Sequence, residues 1–151
     1  MAHQNPPDAI IRQMLEDAKT IAVVGASSDP SRPSHGIFSQ LLAYGYHVVP
    51  VNPNETSVLG QPAFATLADV PFPIDIVDVF RRSEHTLEVA EAAIAVGAKV
   101  LWLQSGIYNE AAADHAKAAG LVVVMDACIK VLHSVLRVPR RPLHMAPTTH
   151  G

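Results

Sequence analysis

Thr20-Ile-Ala-Val-Val-Gly25-Ala-Ser-Ser-Asp-Pro30-Ser-Arg-Pro-Ser34-His-Gly36 is the stretch from which the fold reads. A short apolar run, residues 20–25, stops at a glycine and gives way to a polar loop. The loop leads into residues 34–44, where Ile37, Phe38, Leu41 and Leu42 fall on one helical face and Gly45 follows. A strand apolar on both faces, a glycine turn, then a helix stopped by glycine is how a parallel β-α-β unit opens.

The alternation continues to the end of the chain. Further apolar runs lie at residues 46–51, 74–80, 99–103 and 121–125. Helical patterns at 83–96 and 109–119 fall between them, each starting at Ser or Asn and followed by Gly97 or Gly120. One helix, 8–19, precedes the first strand, and another, 127–136, follows the last. This predicts an α/β, Rossmann-like fold: a doubly wound, five-stranded parallel sheet with right-handed crossovers and strand order 3-2-1-4-5. It forms a single domain over residues 1–136. The connection 52–73 is rich in Asn, Gly and Pro, with room for one short helix near 66–70. Residues 137–151 read as a loosely packed C-terminal tail.

Composition narrows the function classes. Hydrophobic residues make up 49% of the chain and aromatics only 5%, so the core must be aliphatic. The net charge of −3, with no basic stripe through the body, argues against nucleic acid as partner. A single cysteine rules out an internal disulfide framework and suits a reducing, cytoplasmic setting. No signal peptide and no membrane-spanning run is evident, and the histidines lack metal-site spacing.

A parallel α/β sheet binds ligands beyond the carboxyl ends of its strands, where strand order reverses. The loop after the first run offers Gly25, the hydroxyls of Ser27 and Ser28, the planar cation of Arg32, and a helix start at Ser34 and His35. Together they form an anion cradle suited to phosphate. The loop after the second run, Asn52-Pro53-Asn54, reads equally as a turn or a contact. The third, Val79-Phe80-Arg81-Arg82, sets cations beside a helix start, where a bound anion would relieve their conflict with the helix dipole. The fourth presents Gln104, Ser105 and Gly106, with Trp102 before them read as core.

This cradle is neither Gly-x-Gly-x-x-Gly nor a Gly-Lys-Ser/Thr phosphate loop. A nicotinamide site would carry an acid at the end of the second strand, but Asn52 and Pro53 stand there and Glu55 lies beyond them. An NAD(P)-dependent oxidoreductase is therefore the weaker alternative. A small CoA-dependent enzyme using Cys128 or His35 is another, though a lone cysteine beside a buried strand is more often inert packing.

Five segments in order carry a resemblance: Gly25-Ala26-Ser27 with Pro30, Arg32 and Ser34; Gly45-Tyr46 with residues 49–53; Val79-Phe80-Arg81; residues 102–106; and residues 126–130. Over residues 10–136 the chain resembles the stand-alone CoA-binding domain proteins, which are similar to the N-terminal domain of the succinyl-CoA synthetase α subunit. The resemblance implies a module that binds coenzyme A or acyl-CoA, with no catalytic residue of its own. It implies that Gly25, Ala26, Ser27, Arg32 and Ser34 hold the phosphates. Asn52, Pro53, Val79, Phe80 and Arg81 would border the adenosine, and Gln104, Ser105 and Gly106 the pantetheine. Asn54 departs from the family pattern, which often has a basic residue there. The implied partner is a small nucleotide ligand; a homo-oligomer or a protein partner is compatible with the sequence.

Overall fold

The computed structural model describes residues 3–141. Strand β1 (Thr20–Val24) is buried along its whole length. Its side chains alternate between two apolar layers, Ala22 and Val24 on one side, Ile21 and Val23 on the other. Then come β2 (His47–Val51), a hairpin of β3 (Ser57–Val58) and β4 (Gln61–Pro62), β5 (Ile76–Val79), β6 (Val100–Leu103) and β7 (Val122–Val124). The main sheet is parallel throughout, in the order β2-β1-β5-β6-β7.

Helices cover both faces. α1 (Asp8–Asp17), α2 (Pro33–Ala43) and α5 (Ile129–Val135) pack on one side through Leu15, Phe38, Leu41 and Ile129. α3 (Thr86–Ala95) and α4 (Glu110–Ala118) cover the other, meeting it through small residues such as Ala90, Ala93, Ala112 and Ala116. Trp102, expected in the core, is fully buried. No helix among the described residues is long and apolar enough to cross a membrane.

The third place in the doubly wound order is held by a stub. Phe64 makes a parallel bridge to Val51. Its amide donates to the Pro50 carbonyl (3.0 Å), and its carbonyl accepts from the Asn52 amide (2.9 Å). With this bridge counted third, the expected 3-2-1-4-5 frame runs across the sheet and β7 lies beyond it. The apolar run at 74–80 accordingly sits beside β1, in the fourth place rather than the third. The chain therefore steps from β1 out to β2 and returns to the other side of β1, which opens a crevice between the carboxyl ends of β1 and β5.

Element ends shift for local reasons. The stretch at 83–96 begins as a 3-10 turn (Ser83–His85) before α3. The short helix near 66–70 is a 3-10 turn, Leu67–Asp69, closed by a reciprocal Thr66–Asp69 capping box. Asn109 caps α4, its side chain accepting from the Ala112 amide (2.9 Å). The tail does not lie loose where it is described. Val138 is buried, and Arg141 donates to the carbonyls of Ala18 and Glu16 while stacking 4.6 Å above the Tyr46 ring. The rest of the tail, 142–151, is outside the described residues.

Candidate functional site

Gly25 ends β1 with φ +90°, a conformation that side-chain-bearing residues rarely adopt. Its amide donates to the Val51 carbonyl (2.9 Å), and the Phe80 amide donates to the Val24 carbonyl (2.8 Å). The three strand ends thus converge on one turn. Beyond them lies a cleft of about 670 Å³.

The β1 loop contributes Gly25, Ser27, Arg32 and Ser34 to the cleft wall; the β2 loop contributes Asn52, Pro53 and Asn54. Phe80 and Arg81 come from the end of β5, and Ile107 from the loop after β6. α2 starts at this wall. Its first residue is Pro33, its cap residue is Arg32, and no side chain among the described residues caps it. Ser34, expected at the helix start, lies inside its first turn, buried and lining the cleft. A helix start without a side-chain acceptor favours an anion through its unpaired N–H groups and its dipole.

Charge agrees with that geometry. Arg32 and Arg81 line the cleft, and neither forms an ion pair among the described residues. The lining includes no carboxylate, thiol or imidazole. Asp29 lies in the same loop, its carboxyl held below the ordinary range by the Ser31 amide and hydroxyl, and next by Arg32 and His35.

The remaining sequence candidates fall around the cleft rather than in its wall. Ala26 is buried, and its carbonyl accepts from the Asn52 side chain (2.8 Å). The other end of that side chain accepts from the Asn54 amide (2.9 Å), so Asn52 both lines the cleft and clips two loops together. The Ser28 amide donates to Glu55 Oε2 (2.9 Å). His35 is half-buried on α2, and Val79 is fully buried in the sheet.

Gln104 is buried and turned the other way: its Oε1 accepts from the Ile129 amide (3.0 Å) and caps α5. The Gly106 amide donates to Asp126 Oδ1 (2.7 Å), and Ser105 is exposed. From that loop it is Ile107 that reaches the cleft, after a tight turn in which its amide donates to the Gln104 carbonyl (2.9 Å). Sequence reasoning missed Ile107. The glycine before Ile107 was the available signal, since a turn at Gly106 redirects the next side chain. Cys128 is partly exposed at the start of α5, away from the cleft wall.

Residues 19–134 match a family model described as a CoA binding domain. The chain belongs to that family. This CoA-binding domain is 45% identical over 134 residues to an uncharacterized protein, YneT, of Bacillus subtilis, a match spanning 89% of this chain and 99% of the other. It is similar to the structure of a hypothetical protein from Pyrococcus horikoshii, with a TM-score of 0.85 and 39% identity, covering 91% of this chain and 99% of that one. It is also 39% identical over 57 residues to the α subunit of an ADP-forming acetate–CoA ligase of Pyrococcus furiosus, covering 37% of this chain and 12% of the subunit. The domain is thus related to a part of larger ligases and comparable in length to stand-alone proteins.

Proposed function

We propose that the cleft binds coenzyme A, free or as an acyl-CoA, and that the chain works as a binding module that makes and breaks no bonds itself. The observation that carries this reading is the convergence, at the point where strand order reverses, of an uncapped helix start with Arg32 and Arg81. In the proposed pose the diphosphate lies over Gly25, Ala26 and Ser27 and against Arg32 and Ser34, with His35 and Ser28 behind them. The adenosine lies between Asn52-Pro53 and Val79-Phe80-Arg81. The pantetheine leaves past Ile107, over the turn built by Gln104, Ser105 and Gly106. Acid–base or nucleophilic chemistry would need a carboxylate, imidazole or thiol at the wall, and the lining supplies none. A cytoplasmic setting and a protein partner or second copy as the recipient of the bound CoA fit the same reading.

Calorimetric titration of the purified chain with CoA, NAD and ATP tests it. The expected result is saturable CoA binding that Arg32→Ala weakens by about 1–3 kcal/mol, the order for a charge-assisted hydrogen bond. Binding of NAD or ATP with no binding of CoA would overturn it.

A further inference from the structure

The two walls of the cleft differ in charge. Arg81 stands at the end of β5 and Arg32 at the start of α2, whereas the wall built from the β2 loop carries only Val51, Asn52, Pro53 and Asn54. No Lys or Arg occurs anywhere in residues 52–73. The charge beside that wall is negative. Glu55, next to the lining residue Asn54, reaches across the rim and accepts from the amide of Ser28, next to the lining residue Ser27 (2.9 Å). That amide and the Ser28 side chain hold the Glu55 carboxyl below its ordinary range, so it is ionised at neutral pH; Asp29, close by, opposes the shift. The groups that draw the Asp29 carboxyl down by their charge, Arg32 first and then His35, are both on the α2 side.

In a doubly wound sheet the diphosphate of a nucleotide goes to the helix that follows β1, and its ribose to the carboxyl end of β2. CoA carries a phosphomonoester on that ribose. We propose that Glu55, clamped across the rim at Ser28, is a specificity residue that disfavours a phosphate on the adenosine ribose, so that the cleft takes a nucleotide with free ribose hydroxyls at least as well as CoA. This rests on the nucleotide-binding reading of the cleft and refines which nucleotide it prefers. The repulsion acts through a half-exposed rim, so it is modest and falls as salt rises.

Titration with CoA and with dephospho-CoA, side by side at low ionic strength, decides the point. Dephospho-CoA should bind as tightly as CoA or more tightly. Glu55→Gln keeps an acceptor for the Ser28 amide and removes the charge. It should tighten CoA about three- to fivefold and leave dephospho-CoA unchanged. Asn54→Arg, which adds a cation to the β2 wall, should turn the preference toward CoA. A clear wild-type preference for CoA over dephospho-CoA, or a Glu55→Gln effect equal on both ligands, would overturn the proposal and leave the cleft assignment standing. Failure of both ligands to bind would remove the two together.

Discussion

The carbonyl oxygen of Phe80 stands 2.7 Å from the point where a Cβ on Gly25 would lie. The neighbour is backbone, held in place by the Phe80 amide's own bond to Val24, so it cannot swing aside. Gly25 also carries φ +90°. Gly25→Ala should therefore cost on the order of 2–4 kcal/mol, combining the strained backbone with the clash. It should also push the β1 and β5 loops apart and weaken CoA binding. Chemical denaturation reads the first effect and calorimetry the second.

Asp78 has no exposed surface, and neither of its carboxylate oxygens has a hydrogen-bond partner among the described residues. Burial pushes its carboxyl well above the ordinary range. A raised folded-state value means the folded chain binds a proton that the unfolded chain releases. This site's contribution to stability is therefore complete below about pH 4, the unfolded value, and declines as pH rises. Asp78→Val should remove that decline and stabilise the fold at pH 7 by roughly 1–3 kcal/mol. Urea denaturation of both proteins at pH 5 and pH 8 checks it.

His133 works in the opposite sense. It stacks on Tyr44 with ring centroids 3.7 Å apart and an angle of 8°, with Tyr46 edge-on at 5.8 Å. Burial, then the charges of Arg140 and Arg141, lowers its value to about 4. The unfolded chain therefore binds a proton that the folded chain refuses between about pH 6.5 and 4. Stability should fall across that window, by on the order of 2–3 kcal/mol, and level off below it. His133→Phe should flatten this slope, read by thermal unfolding at pH 7 and pH 4.5.

Gln104 separates a supporting role from a ligand contact. Since its side chain caps α5, Gln104→Ala should cost about 1–2 kcal/mol of stability. It should change CoA affinity far less than Arg32→Ala does. A binding loss as large as that of Arg32→Ala would put the Gln104 amide in direct contact with the ligand.

The parallel strands and their covering helices were legible because burial on both faces leaves near-continuous runs of Val, Ile and Leu, as in β1. One wall of the cleft was legible too, because Gly25, Arg32 and Ser34, which line it, lie within one loop. The hairpin of β3 and β4 escaped notice, since two-residue strands carry no periodicity and Leu59 adopts φ +48° beside Gly60. The Phe64 stub is one residue long, so the place of the 74–80 run followed from a pairing that composition cannot encode. Ser28 and Gln104 read as ligand contacts because their types suit polar recognition. Their partners, Glu55 and the Ile129 amide, lie 27 and 25 residues away and take up those groups. The Arg141 anchor escaped for the same reason, its acceptors lying more than a hundred residues upstream.

The central claim, that CoA lays its diphosphate on the start of α2, is tested most directly by amide NMR during a CoA titration. The account predicts saturating shifts at Gly25, Ser34, His35, Gly36 and Arg81. Shifts confined to the small hollow at the opposite end of the sheet, around Met14, Lys99 and Val100, would contradict it.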